Sequence, residues 1–435
     1  MVLIPKCKTP VSATDYRPIS LCNVVYKIIA KVLVNRLKTI LPRIIDESQS
    51  AFISGRVIFN NIIMAHEVLH SMHTKKKGKS SFLAAKVDMS KAYDRVEWPY
   101  LEGVMTRMGF SNKWISLVME CVSSVSYSMV VNGKCSGNIA PSRGLRQGDP
   151  ISPFLFLLCA EGLSCLIRND SNKGISQGVA TARYGPNVSH LFFADDFLFF
   201  YKVRKAECEA LCNILKSYEE ASGQMVNLDK SGILFSPNTS REDRNMAMDT
   251  LLIHKQMGYE NYLGLPIMFG KSKKKEFRAI KEKIWAQTRS WSSKLLSRAG
   301  KSVLLQAVAQ AIPIFVMNCF KLPRCLLNEL NMIMASFWWG DTSAKRKIHW
   351  RKWEALYCSK MDRGLGFKDM ECFNLALLAK QWWRIIHNED SLSFKVLKGK
   401  YFPFSEPMKC FKRTNSSFLW NSLWVGMSII DKRAF

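Results

Sequence analysis

Apolar positions along the chain follow two spacings, and the changes between them mark out its elements. In residues 16–40 (YRPISLCNVVYKIIAKVLVNRLKTI) apolar side chains recur every three or four residues with Lys and Arg between them. That pattern predicts a basic amphipathic helix after Pro18. Asn60–His73 repeats the helical spacing. SFLAAKVDM (81–89) is instead a short apolar run ending at an aspartate, which predicts a buried strand. SMVVNGK (128–134) carries Asn132-Gly133, a hairpin turn signal. GLRQGDPISP (144–153) predicts a Gly/Pro loop leading into an apolar helix, Phe154–Ile167, and another helix is expected near 205–221. In SHLFFADDFLFFYK (189–202) two short apolar halves flank Ala194–Asp196, which predicts two buried strands joined by a turn.

Past Gly270 the pattern changes. GKSKKKEFRAIKEKIWAQTRSW begins a Lys-rich helical region reaching about Phe320. From about Pro323 the chain is rich in Trp: Trp338, Trp339, Trp350, Trp353, Trp382, Trp383, Trp420 and Trp424. Leu and Phe fill the spaces between them, so these rings are expected as helical core rather than as base-stacking platforms. Mixed strands and helices followed by helices alone predict an α+β domain with a mostly helical region after it. The expected divisions are 1–270, 271–322 and 323–435.

Charge adds a partner. The 63 Lys and Arg against 35 Asp and Glu give a formal net charge of +28, spread over the whole length. A polyanion, most simply nucleic acid, fits that excess. The thirteen cysteines are odd in number and lack paired spacing, so reduced thiols, as in an intracellular protein, are expected. No uninterrupted apolar stretch is long enough for a membrane span, and no signal-peptide pattern opens the chain. Location is not assigned: KKKGK (75–79) and KSKKK (271–275) fit nuclear import or a plain cationic surface equally.

The chemistry starts from two adjacent aspartates, Asp195 and Asp196, set among Phe and Leu. Buried carboxylates of like charge repel and are unfavourable unless a cation compensates them. A hairpin tip can carry such a pair to the end of a neighbouring strand. If that strand is 81–88, Asp88 joins them, and three hard oxygen donors suit Mg²⁺. Two such ions can activate an attacking hydroxyl and stabilise a departing phosphate oxygen.

VLIPK (2–6), YRPISL (16–21), SAFISGR (50–56), KVDMSKAYDRVEW (86–98), GLRQGDPISP, LFFADD (191–196), GQMVNLDKS (223–231) and YLGLPI (262–267) stand in the order found in reverse transcriptases. The chain specifically resembles those of plant non-LTR, LINE-like retrotransposons, strongly over 2–267 and more loosely through 296–315 and 363–383. The resemblance implies a right-hand polymerase fold of fingers, palm with an antiparallel sheet, and helical thumb, with 271–322 as the thumb-like basic segment. It implies RNA-directed DNA synthesis: two Mg²⁺ ions, with Mn²⁺ as a substitute, an RNA template, a DNA primer with a free 3′-OH, and deoxynucleoside triphosphates. Asp88, Asp195 and Asp196 match the family's metal-binding and catalytic aspartates. Tyr93 matches the aromatic beneath the incoming sugar that excludes ribonucleotides. Gln147 and Gly148 match the loop supporting the template base and nucleotide. Arg17, Lys27 and Arg56 are candidates for triphosphate or template contacts, and Lys230 for the proton donor to pyrophosphate. Asp94 and Trp98 also match and are expected to be structural, Asp149 is a candidate helix cap, and the lysines of 271–283 are expected to follow the template–primer backbone.

Two competing readings remain. His66-Glu67-Val68-Leu69-His70 is an H-E-x-x-H string on a predicted helix, the arrangement of a zinc peptidase, although no third-ligand pattern follows it. The family's endonuclease carboxylate–histidine set, its C-terminal RNase H and zinc segments and its upstream fingers portion are absent, so the chain is expected to be a fragment of an element protein. The alternative to an active polymerase is therefore an inactive relic that at most binds nucleic acid. Partner proteins are not indicated.

Overall fold

The computed structural model describes residues 1–258, 261–270, 272–292, 295–341, 346–410 and 414–431. They form an α+β fold in two compact units. The first comprises 1–61, 71–181 and 186–258; the second comprises 62–70, 182–185 and the described part of 259–435.

The first unit is built on a four-stranded antiparallel sheet in the order Val226–Phe235, Phe82–Met89, Asp196–Lys202, His190–Phe193. The sequence places its most apolar segments in the middle of that sheet. Leu83, Ala84, Ala85, Phe197, Leu198, Phe199 and Phe200 are all completely buried. Helices Ser152–Asn172 and Lys205–Ser222 pack with the sheet in one continuous core that includes Phe156, Leu163, Leu211 and Tyr218. Gly223 closes the second of these helices in the left-handed region, with φ 73, where a side chain would be strained. The two apolar halves of 189–202 do form a hairpin, with Ala194-Asp195 as the two-residue turn between Phe193 and Asp196. Asn132-Gly133 likewise turns the Tyr127–Val131 and Lys134–Ile139 hairpin.

The first helix departs from its expected start. It runs Val24–Ile44, capped by the Asn23 side chain accepting the Tyr26 N–H at 2.8 Å. Residues Tyr16–Ile19 instead pair antiparallel with Val2–Pro5. Arg17, preceding Pro18, disfavours helical backbone, and the Ser20 N–H is drawn to the Gln147 carbonyl at 2.8 Å. Its exposed face carries Val24, Val25, Ile28 and Ile29 among lysines.

The second unit is mostly helical, including Arg278–Ser292, Arg324–Trp339, Met370–Ile386, Leu392–Tyr401 and Phe418–Asp431. Trp338, Trp339, Trp353, Trp382 and Trp420 are buried there, as their apolar surroundings predict, while Trp350 and Trp383 are exposed. Among the described residues no helix is long and apolar enough to cross a membrane, and all thirteen cysteines are free thiols.

Candidate active site

Two segments far apart in sequence bring three acidic residues to one end of the sheet. Asp88 stands near the end of the central strand. Its N–H donates to Ser231 Oγ at 3.1 Å, and Ser231 in turn donates to the Asn227 carbonyl at 2.7 Å. A bulge between Asn227 and Gly232 makes this possible, because it loops Leu228–Lys230 out of the ladder and turns Ser231 back towards the neighbour strand. Continuing the register of Val87 with Phe197 by one residue sets Asp88 beside Asp196. Asp195 occupies the turn itself.

The electrostatics agree with that grouping. Reduced hydration pushes the Asp195 carboxyl up; Asp88 pushes it further, and a backbone hydrogen bond and Arg17 draw it down. Burial also raises Asp196, with Lys86 opposing and Asp195 and Asp88 adding to the rise. Asp195 and Asp196 thus feel their acidic neighbours as like charge. Among the described residues no three His, Cys, Asp or Glu side chains form a closed ligand cluster. The three aspartates are gathered at one edge without being drawn together into a preassembled cage.

Tyr93 belongs to the same place. Its ring stacks on Phe156 at 4.8 Å and 15°. Burial raises its hydroxyl, and the charge of Asp195 raises it further, so it stays protonated near neutrality. The glycine loop is fastened to this segment: the Gly144 N–H donates to the Val96 carbonyl at 2.8 Å, and the Leu145 N–H to the Tyr93 carbonyl at 2.7 Å. Gly144 has φ 92, and a Cβ there would lie 2.7 Å from the Asp94 carbonyl oxygen. Gln147 Nε2 donates to Asp94 Oδ1 at 3.2 Å, and Trp98 Nε1 to the Gly144 carbonyl at 3.0 Å. Gly148, with φ 101, lets the loop pass the Ser20 carbonyl, which a Cβ would approach to 2.9 Å. Asp149 accepts the Ile151 N–H at 3.1 Å at the head of the following helix, and also pairs with Arg146 and Tyr26, each at 2.6 Å.

The four basic candidates differ in placement. Arg17 is exposed and within electrostatic reach of Asp195. Lys27 is exposed on the first helix, and Lys230 is exposed in the bulge beside Asp88's strand. Arg56 is turned inward: its guanidinium donates to the carbonyls of Pro42 at 3.2 Å, Ile45 at 2.8 Å, Gln49 at 2.7 Å and also Asp46. Three residues at the site escape a reading by pattern alone: Gln49, Lys86 and Ser231. None of them carries a spacing or periodicity signal; Gln49, just before SAFISGR, is buried by the fold alone.

Within the second unit, Glu67 of the H-E-x-x-H string is fully buried. It accepts from Lys400 Nζ at 2.8 Å, Tyr401 OH at 2.7 Å and Ser417 Oγ. His66 lies against Phe269 and Phe320 with ring centroids 5.7 and 5.2 Å away, and burial pushes its imidazole down to about 4. A glutamate neutralised by lysine cannot serve as a metal-site base, so the string is a core element. In the same unit Lys274 and Lys281 both pair with Glu329, at 2.5 and 2.7 Å, and Lys273 lies over the Phe269 and Phe418 rings. Lys271 lies outside the described residues.

Residues 4–277 match the family model of the reverse transcriptase (RNA-dependent DNA polymerase). An uncharacterized mitochondrial protein of Arabidopsis thaliana is 42% identical over 123 residues, 28% of this chain and 80% of that one. The transposon TX1 uncharacterized 149 kDa protein of Xenopus laevis is 25% identical over 349 residues, covering 78% of this chain and 25% of its own length. The Pol polyprotein of the type-2 retrotransposable element R2DM of Drosophila melanogaster is 26% identical over 229 residues, 53% of this chain and 20% of that one. The chain therefore spans about a quarter or less of the length of these two element proteins. With its family model covering more than half of the sequence, and with Pol proteins of non-LTR elements among its relatives, the chain belongs to the reverse transcriptase (RNA-dependent DNA polymerase) family.

Proposed function

We propose that the chain is an RNA-directed DNA polymerase of a non-LTR retrotransposon, adding deoxynucleotides to a primer 3′-OH at the Asp88–Asp195–Asp196 end of the sheet. The observation that carries this reading is the meeting of those three carboxylates with Tyr93, whose hydroxyl feels the charge of Asp195. The donor set fits a hard divalent cation: it offers carboxylate oxygens and neither sulfur nor imidazole. Its mutual repulsion is the load that such a cation relieves. Asp88 and Asp195 would hold most of the coordination, and Asp196 would support them. When bound, Mg²⁺ ions supply Lewis-acid activation of the primer hydroxyl and charge neutralisation at the departing pyrophosphate.

The remaining steps belong to this chain's own side chains. Arg17 attracts the triphosphate and steers it towards the aspartates. The Tyr93 ring, fixed by its stack on Phe156, forms the floor under the sugar and excludes a 2′-hydroxyl. Gln147 is held by Asp94, and together with Gly148 it lines the nucleotide and template base with a backbone that approaches closely. Lys230 stands on the exposed bulge beside Asp88's strand, as a proton donor to pyrophosphate requires. Lys27 contributes positive charge along the template path.

The test is primer extension on poly(rA)/oligo(dT) with Mg²⁺. The natural chain extends the primer, chelation by EDTA stops extension, and Asp195→Asn lowers the rate by about 10³-fold or more. A wild-type chain that does not extend defeats the reading in favour of an inactive relic. Extension by Asp195→Asn at the wild-type rate defeats the site assignment.

A further inference from the structure

We propose that Gln49 is a positioning residue for Asp195, and that Arg56 acts through it. The proposal rests on the reading of Asp195 as part of the catalytic site. Asp195 sits in a two-residue turn whose first residue, Ala194, has φ 53. Only glycine, asparagine and aspartate adopt that region readily, so an alanine there needs outside support. The support comes from Gln49. Its side-chain Oε1 accepts the Ala194 N–H at 3.2 Å and the Ala51 N–H at 3.0 Å. Two backbone N–H groups face that atom, so it must be the oxygen, and the orientation of the carboxamide is fixed.

The consequence is unusual. Gln49 is 2% exposed, and its Nε2 is buried with no hydrogen-bond partner among the described residues. A buried donor without an acceptor opposes folding. Methionine would fill similar space without the orphan donor. The glutamine is explained by what its oxygen holds, which is the amide immediately before Asp195.

Gln49 is itself held rigidly. The Phe192 N–H donates to the Ser48 carbonyl at 2.9 Å and the Ser50 N–H to the Phe192 carbonyl at 3.2 Å, so 48–50 runs parallel beside the hairpin's outer strand. Asn61 Nδ2 adds a bond to the Phe192 carbonyl at 2.6 Å. Arg56 then closes the preceding turn by donating to four carbonyls between Pro42 and Gln49. The guanidinium fixes the turn, the turn fixes Gln49, and Gln49 fixes the backbone that aims Asp195. Arg56 is thereby a part of the positioning machinery, acting at a distance from any triphosphate.

The experiment uses the full chain with Gln49→Met, Gln49→Glu and Arg56→Lys. Hydrogen exchange is followed across 190–202, Mn²⁺ binding is measured by calorimetry, and kcat and KM for dTTP are measured on poly(rA)/oligo(dT). Gln49→Met is expected to speed exchange at the Ala194 amide, with the rest of the strands and the 205–222 helix unchanged. It weakens Mn²⁺ binding and lowers kcat about 10- to 100-fold while KM stays within about twofold. Gln49→Glu keeps an acceptor and restores protection of the Ala194 amide. Arg56→Lys, which lacks the fork to reach four carbonyls, moves in the direction of Gln49→Met. Wild-type exchange at Ala194 in Gln49→Met overturns the proposal, and so does loss of protection throughout the sheet, which marks a merely structural role. If the wild-type chain extends no primer, the polymerase reading falls alone. Exchange and Mn²⁺ binding then decide the clamp: local deprotection with weakened binding upholds it, and unchanged values overturn it.

Discussion

Replacing Glu67 by alanine tests the energetics of the second unit most directly. The Glu67 carboxylate is 0% exposed and pairs with Lys400, whose side chain is 12% exposed, at 2.8 Å. Tyr401 and Ser417 supply the other hydrogen bonds. Removing one partner of a buried pair leaves the other charge uncompensated, which costs about 3–5 kcal/mol. With a guanidinium slope of about 4 kcal/mol per molar, the midpoint falls by roughly 1 M. The structure supplies the probe. Trp420 is fully buried and stacks on Tyr401 with centroids 3.9 Å apart and planes 5° from parallel, so its fluorescence, isolated from that of the other tryptophans by difference against Trp420→Phe, reports this cluster. Glu67→Gln keeps one acceptor oxygen, for either Tyr401 or Ser417, and should lose less than Glu67→Ala. Glu67→Gln with Lys400→Met removes both charges and should recover most of the loss. The pH dependence has a defined sign. Burial alone pushes the Glu67 carboxyl up, but Lys400, Ser417 and Tyr401 together outweigh it and leave the group below its ordinary 4.5. The wild-type advantage over Glu67→Gln is therefore fully present above that value and disappears as pH falls through the lower, folded-state value. A Glu67→Ala midpoint within about 0.2 M of wild type would refute the assignment of this pair to the core.

Three further expectations follow from the first unit, besides those for Asp195 and Gln49. Tyr93→Val removes the ring fixed on Phe156 and should reduce discrimination against ribonucleotides by roughly 10- to 100-fold, read as the ratio of dTTP to UTP incorporation. Gly144→Ala places a Cβ 2.7 Å from the Asp94 carbonyl oxygen at φ 92, and Gly148→Ala places one 2.9 Å from that of Ser20 at φ 101. Each should cost about 1–3 kcal/mol, measured by thermal melting, with activity falling alongside. Gly55→Ala, at φ 81 with nothing within 4 Å, is the control for backbone strain alone and should cost about 1–2 kcal/mol.

The sequence by itself determined the local elements and the family. Helical spacing marked Lys205–Ser222, the apolar run ending at Asp88 marked the central strand, and the halves of LFFADDFLFF marked the hairpin. These are legible because their patterns repeat within a few residues and reflect burial that each element needs wherever it packs. Only the tertiary structure decided what depends on partners distant in the chain. Tyr16–Ile19 became a strand because Val2–Pro5 was there to pair with it. Glu67 became a core ion pair through a lysine 333 residues away. Lys274 and Lys281 turned to Glu329, and Arg56 turned to four carbonyls, because the fold sets those acceptors within reach of each cation. Gln49 is the sharpest instance: its role depends on one hydrogen bond to an alanine 145 residues later. A carboxamide meets a backbone amide by folding, and no spacing rule in a linear sequence encodes that encounter.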